Sequence, residues 1–331
     1  MMNKNLISIV IVNYNGWRDT IECIRSLERQ TYKNIEIIVV DNGSVDDDKT
    51  NFGRLTCKVP IMFIYNKTNV GFGNGCNLGL NSAEGSFIAL INNDMVADPC
   101  WIEELLGVFQ ASNRVGIAGG KVYQYNTELK KSILDSAGSQ FNQIGQAWST
   151  GFLEKDHGQY GKKKEVAMIT AGACLIRRSL IDDTLFDPTF FMYMEELDLC
   201  LRIRTDGFKV IYNPNAFVFH KFSQSVQKSH KNALLFKIFH SNIARAKILL
   251  KYYSIEILVK NLHLILISFL VNDFYVLKNG GIKKLYDFKI KQFKFAIEGL
   301  KERKAKSNWA EWITYQSLKE LIKGRSAGLN G

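Results

Sequence analysis

The chain has 331 residues, 46% of them apolar and 12% aromatic, which is enough to build a substantial core and excludes a disordered protein. Its length exceeds one typical domain, so the expectation is one large α/β domain with an appendage. The net charge of +11 does not mark a nucleic-acid binder, because residues 221–331 carry +14 and residues 1–220 carry −3.

Apolar runs of strand length alternate with helical patterns through the first half. Leu6–Val12 reads as a strand and Trp17–Gln30 as a helix, with Ile21, Ile24 and Leu27 at helical spacing. Ile35–Val40, Ile61–Tyr65 and Phe87–Ile91 continue as strands, with helices at Gly73–Ala83 and Cys100–Gln110. This alternation predicts a mostly parallel sheet flanked by helices, with ligands at the carboxyl ends of the strands, where Asn13, Asp41 and Asn92–Asp94 lie. Gly119–Val166 is looser and reads as strands and loops walling the acceptor side. Ala167–Arg177 returns as a strand, Glu195–Arg204 opens a helix with acids at its N-terminus, and two short strands, Val210–Tyr212 and Ala216–Phe219, lead to His220.

Beyond residue 225 the chain reads as basic helices. Leu262–Val271 is an apolar run of ten, short of the roughly 20 residues that a spanning helix needs. Tyr286, Ile290, Phe293, Ile297 and Leu300 step by 4, 3, 4 and 3, with Lys289, Lys291 and Lys294 between them. That is the pattern of an amphipathic helix lying in a membrane interface. His230 and His240 fall on helical faces. Six scattered cysteines without a C-x-x-C pair argue against zinc and fit reduced thiols. The first strand begins too early for a signal peptide, so the expectation is catalysis at the cytoplasmic face of a membrane.

Two acidic signatures carry the chemistry. Asn92-Asn93-Asp94 ends a buried strand, where a carboxylate suits Mg²⁺ or Mn²⁺ with substrate phosphates. Glu195-Glu196-Leu197-Asp198 follows an aromatic stretch, and adjacent acids in partial burial favour a general base. Asp198 and Arg202 are spaced to form an ion pair. Asn69–Leu80 fails the dinucleotide fingerprint, because Cys76 stands where a third glycine is required. Its glycines suit either close approach to a phosphate or a tight turn into a helix.

In their order, Val12-Asn13-Tyr14-Asn15, Val40-Asp41-Asn42-Gly43-Ser44, Asn69-Val70-Gly71-Phe72-Gly73 with Asn77, Asn92-Asn93-Asp94, Thr170-Ala171-Gly172-Ala173 and Tyr193–Arg202 resemble family 2 glycosyltransferases. The resemblance runs from about Leu6 to Ser225 and is nearest to rhamnosyltransferase-like and galactofuranosyltransferase-like members. It implies a GT-A-like α/β catalytic domain over residues 1–225, with residues 226–331 as a basic helical membrane-associating region. It implies that Asn13, Tyr14, Asn15, Asp41, Asn69, Gly71, Gly73, Asn77, Asn93 and Gly172 bind a UDP- or dTDP-sugar. Asp94, Asn92 and His220 would hold the divalent metal, with Asn92 replacing an acid common in the family. Glu196 would be the base, one methylene longer than the usual Asp, with Glu195 and Asp198 beside it. The implied reaction is inverting transfer of a sugar to a hydroxyl of a glycan or lipid-linked glycan. The competing readings are a nucleotidyltransferase, which would release pyrophosphate, and a noncatalytic membrane-bound scaffold; a pairing of protomers through the C-terminal helices stays open.

Overall fold

The β-branched runs form the centre of the molecule because they are apolar on both faces. The computed structural model describes residues 3–126, 131–221, 233–304, 311–317 and 319–321. In it β1 (Asn3–Asn13), β2 (Ile35–Asn42), β3 (Ile61–Asn66) and β4 (Gly85–Ile91) lie parallel in the order β3-β2-β1-β4. Helices α1 (Trp17–Leu27), α2 (Asp46–Gly53) and α3 (Phe72–Ser82) make the crossovers. Alternate residues of β1 serve two cores: Ile7, Ile9 and Ile11 pack with α1 on one face, and Val10 packs with α3 on the other. Strand order reverses between β1 and β4, so the ends of these two strands flank the crevice where such sheets bind ligands.

The chain continues through β5 (Met95–Ala97), α4 (Trp101–Ala111), β6 (Val115–Gln124), β7 (Leu134–Ser136), β8 (Ser139–Asn142), β9 (Ala147–Ser149), β10 (Lys164–Glu165), β11 (Ala173–Arg177), α5 (Glu195–Thr205) and β12 (Lys209–His220); β8 and β9 belong to a separate small sheet, and the other strands extend the central one. β11 is antiparallel between β4 and β6, whereas β12 runs parallel to β6. Three sequence expectations are corrected here. The looser stretch begins inside β6, a buried strand of ten residues. Its glycines are there for close approach, since a Cβ on Gly120 would lie 1.6 Å from the Ala216 carbonyl oxygen. The strand expected over Ala167–Arg177 starts only at Ala173, and the two short strands before His220 are one strand, β12, with a register shift between Tyr212 and Phe217.

The C-terminal helices are α6 (Ala233–Tyr252), α7 (Ile255–Lys260) and α8 (Leu262–Lys301), followed by β13 (Ile313–Thr314), which pairs with β8. The division expected at residue 225, like His230, lies outside the described residues. Beyond it the core is continuous: Ile248, Leu249, Tyr252 and Tyr253 share one cluster with Leu197 and Leu201 of α5 and Cys174 of β11. Charge reinforces the join. Buried Lys247 meets Asp187 at 2.6 Å and Glu302 at 2.9 Å, and buried Lys251 meets Asp198 at 2.8 Å and Glu302 at 3.1 Å.

α8 is not a rod. Gly281 has φ 76° and ψ 176°, which breaks the helix into arms 262–280 and 282–301. Lys289 Nζ nevertheless lies 2.8 Å from Asp273 Oδ2. A straight helix would separate those residues by roughly 24 Å, so the arms fold into a hairpin. The first arm runs antiparallel to α6, with Asn272 on Asn242 (2.7 Å) and Ser268 on Arg245 (2.9 Å). The second arm runs parallel to α6, with Phe288 on Phe239 and Glu298 at Lys247.

Removing one partner of a buried pair leaves an uncompensated charge. Lys251→Met should therefore destabilise the fold by about 3 kcal/mol in urea unfolding. Asp198→Asn combined with Lys251→Met should recover a measurable part of that loss.

Candidate active site

The end of β1 is organised by Asn13, whose side chain is fully buried. Its amide nitrogen donates to Asp41 Oδ1 at 2.8 Å, Asp48 Oδ2 at 2.9 Å and Ser44 Oγ at 3.1 Å. Its oxygen accepts from Thr20 Oγ1 at 2.8 Å and Asn93 Nδ2 at 3.4 Å. Asn13 is thus a saturated clamp, and what it presents are its neighbours. Tyr14 is half-buried beside it. Asn15 has φ 52°, takes Val45 N–H on its side chain at 3.1 Å and gives its own N–H to Ser44 at 2.8 Å. Asp41 is buried at the end of β2 and accepts from Ser44 N–H at 3.3 Å. Asp48, Ser44, Thr20 and Asn42 were not singled out from the sequence.

The glycine-rich stretch is held by asparagines. Asn42 Nδ2 donates to Asn69 Oδ1 at 3.0 Å and to the Gly71 carbonyl at 3.1 Å, and Asn69 Oδ1 also takes Gly71 N–H at 2.9 Å. Gly71 has φ 89°, and a Cβ there would lie 2.0 Å from the Phe191 carbonyl oxygen. This loop is therefore seated on the segment that leads into α5. Gly73 packs on Phe186 and Gly75 on Val12, so both glycines act in packing α3. Asn77 accepts the N–H groups of Leu185 and Phe186 at 3.0 and 2.9 Å and donates to the Phe186 carbonyl at 2.9 Å. Each of these partners belongs to that one segment.

At the end of β4, Asn92 N–H donates to the Gly172 carbonyl at 2.8 Å, and a Cβ on Gly172 would fall 2.9 Å from Asn92 Nδ2. The next residue but one, Asp94, is buried with its Oδ2 3.3 Å from His220 Nε2. The other ring nitrogen of His220 lies 2.7 Å from Asp135 Oδ2. Burial opposes charge on this imidazole, but the hydrogen bonds and charges of Asp135 and Asp94 outweigh it and hold the pKa up at about 10. Asp135 lies on β7, inside the stretch read as loose, where no periodicity marked it. The next residue, Lys221, is paired with Asp19 at 2.8 Å and Glu22 at 2.5 Å.

α5 is entered through strain. Tyr193 and Met194 have φ 69° and 73°, a conformation that costs non-glycine residues on the order of 1–3 kcal/mol each. The helix that follows brings Glu195 and Glu196 into its first turn. Glu195 is buried with Oε2 unpartnered. Burial, then the charge of Glu196, raise its pKa to about 8. Burial also raises Glu196, which keeps a partly exposed surface. Asp198 is corrected: it does not pair with Arg202 and does not join the two glutamates. Its Oδ1 accepts from Lys251 at 2.8 Å and Tyr252 Oη at 2.9 Å, while Arg202 donates to the carbonyls of Thr184 and Leu185. Asp198 anchors α6.

Among the described residues no three His, Cys, Asp or Glu side chains form a closed metal cage. Asp94 and His220 do present one carboxylate and one imidazole to each other, with Asp135 orienting the ring from behind. That donor set fits Mn²⁺ or Mg²⁺ completed by phosphate and water oxygens, provided the ion takes the place of the Nε2 proton that Asp94 otherwise holds on His220.

A family model described as glycosyl transferase family 2 matches residues 8–185, more than half of the chain. The chain belongs to glycosyl transferase family 2. It is 32% identical over 157 residues to an uncharacterized glycosyltransferase of Haemophilus influenzae, covering 47% of each chain. It is 31% identical over 129 residues to the glycosyltransferase GlyG of Streptococcus pneumoniae, covering 37% of this chain and 41% of that one. These matches thus span less than half of the curated relatives. Among solved structures, GalNAc-T7 with UDP, GalNAc and Mn²⁺ superposes with a TM-score of 0.58 at 14% identity, over 76% of this chain and 49% of that chain. Staphylococcus aureus TarS 1-349 superposes with a TM-score of 0.51 at 14% identity, over 89% and 80%. The fold of this family 2 chain is the expected GT-A-like α/β fold with a C-terminal helical region.

A carboxyl group whose pKa is raised in the folded state binds its proton more tightly there than in the unfolded chain. Its stabilisation is full below the ordinary value near 4.5 and is lost as pH rises toward 8. The melting temperature of Glu195→Gln should therefore match wild type near pH 5 and exceed it near pH 8 in thermal unfolding.

Proposed function

We propose that this chain is an inverting glycosyltransferase that moves a sugar, rhamnose-like or another hexose, from a UDP- or dTDP-sugar to a hydroxyl of a glycan or lipid-linked glycan in cell-surface polysaccharide synthesis. The observation that carries this reading is the pairing of Glu195 and Glu196 at the start of α5, buried enough to raise both, just after the Phe191 on which Gly71 is seated, together with Asp94 facing His220 after β4. Support for the donor class comes from the family and from the GT-A-like fold, which GalNAc-T7 uses with UDP and Mn²⁺.

The chemistry divides among these residues. Asp41 and the Tyr14 ring, held at adjoining strand ends, receive the base and ribose. Glu196 takes the proton of the acceptor hydroxyl, whose oxygen bonds to the anomeric carbon as the bond to the diphosphate breaks on the opposite side. A single displacement requires one base, and a pKa raised by burial makes Glu196 a better one than a free carboxylate. Glu195, uncharged over much of the neutral range, limits the charge beside that base. Asp94 and His220 would hold Mg²⁺ or Mn²⁺, which supplies neutralisation of the departing diphosphate when bound.

Glu196→Gln should lower transfer roughly 100- to 10,000-fold with donor binding intact, followed by release of nucleoside diphosphate. Release of pyrophosphate would instead favour a nucleotidyltransferase, and an unchanged biological role in that variant would favour a scaffold. The wild-type rate should climb with pH through a limb above the ordinary carboxylate range, because Glu196 is raised and works deprotonated.

Titrating the protein with UDP- and dTDP-sugars should raise its melting temperature with one donor. Chelation of divalent metal, or Asp94→Asn, should abolish the Mn²⁺-dependent part of that rise.

A further inference from the structure

The α8 hairpin is apolar on its exposed side as well as on the side packed against α6. On the first arm Leu262, Leu266, Leu270, Phe274 and Leu277 step by 4, 4, 4 and 3 and are 40–67% exposed. On the second arm Ile282, Tyr286, Ile290, Phe293, Ile297 and Leu300 step by 4, 4, 3, 4 and 3 and are 36–75% exposed. The buried side of the same helix holds Ile265, Val276 and Phe288 with Ser268 and Gln292. A helix facing water keeps its outer side polar, and apolar stripes exposed along both arms exceed the scattered exposure that soluble monomers show. Lysines border the second stripe: on a helical projection Lys283, Lys294 and Lys301 fall on one flank, while Lys289 on the other is neutralised by Asp273.

We propose that this hairpin is a docking surface for an anionic lipid bilayer, with the apolar faces of both arms sunk into the interface and neither arm crossing it. Charge selects the occupant. A second copy meeting this face across a two-fold axis would bring lysine flank toward lysine flank, whereas anionic headgroups complement it. The fold argues against a span. By length and composition α8 is the one helix among the described residues that is able to cross a membrane. Yet Gly281 divides it, Asp273 is tied to Lys289 across the break, and the close contact of Gly299 with the Lys247 carbonyl fixes the second arm to α6. A crossing would pull these contacts apart. The docked arms lie parallel to the surface in the manner of a monotopic helix pair.

The full-length protein would be sedimented with phosphatidylcholine vesicles and with phosphatidylcholine/phosphatidylglycerol vesicles. Binding should be roughly ten-fold tighter to the anionic vesicles and should weaken with salt. Phe274→Glu with Phe293→Glu should abolish binding to both. Lys283→Gln with Lys294→Gln, both on the exposed surface, should remove the preference for phosphatidylglycerol while leaving the melting temperature unchanged. Absence of sedimentation with either vesicle would overturn the proposal. So would binding indifferent to both pairs of substitutions, a dimer in light scattering that excludes vesicles, or retention in cell membranes after alkaline extraction. The readout uses no donor or acceptor, so it fails or holds independently of the transferase reading.

Discussion

One side-chain amide holds the strand ends of the β1–β4 crevice together. Asn13 joins β1 to β2 through Asp41, to α2 through Asp48, to α1 through Thr20 and to the end of β4 through Asn93. The position needs a donor facing two carboxylates and an acceptor facing a hydroxyl in the same buried place. Asp would set three carboxylates against one another, and an apolar residue would leave all five partners short of a hydrogen bond. An amide is the small neutral group that meets both demands. The gap between β1 and β4 at the switch point thereby acquires a fixed width.

A second constraint separates the carboxylates of the α5 region into two kinds. Among the described residues no cation pairs with Glu195 or Glu196, and burial raises both. Asp187, half-buried on the segment before α5, is also opposed by desolvation, yet Lys247 and Thr189 outweigh that and hold it below the usual range. The lysines that make this difference come from α6. Groups of one chemistry, a few residues apart, are thus tuned in opposite directions by what packs against them. The strained Tyr193 and Met194 fix the junction between the aromatic stretch and the acids, and the packing of the Asn69–Gly73 loop on Phe191 holds it in place.

The sheet and the strand-end residues were legible in the sequence because buried parallel strands read as uninterrupted apolar runs and their ends carry Asn and Asp. The pair Glu195-Glu196 was legible as acids opening a helix. What stayed hidden depended on partners distant in sequence. Asp198 reads as a third acid of the same cluster, and only α6, more than fifty residues on, gives it Lys251 and Tyr252. Asp135 sits on a strand of three residues, too short to show alternation, and gains meaning only from His220. Gly119 and Gly120 suggested a loop but sit in a strand that another backbone approaches, while Gly73 packs on Phe186 and Gly75 on Val12 of β1.

The C-terminal third shows the same dependence at larger scale. Its charge and amphipathic stripe were visible as composition, whereas the fold-back at Gly281 was not, since a Gly-Gly pair within a helical pattern marks only a weak point. The fold-back changes what the stripe can do. Two arms braced against α6 present their apolar faces from a rigid support, and α6 is itself joined to α5 by Lys251 and to the segment before α5 by Lys247. Whatever seats the hairpin therefore sets the position of Glu196 through an unbroken series of buried ion pairs and packed helices. On the proposed reading, in which the hairpin docks on a bilayer and the acceptor is lipid-linked, such bracing would hold Glu196 at a constant height above that surface, which a flexible tether would not.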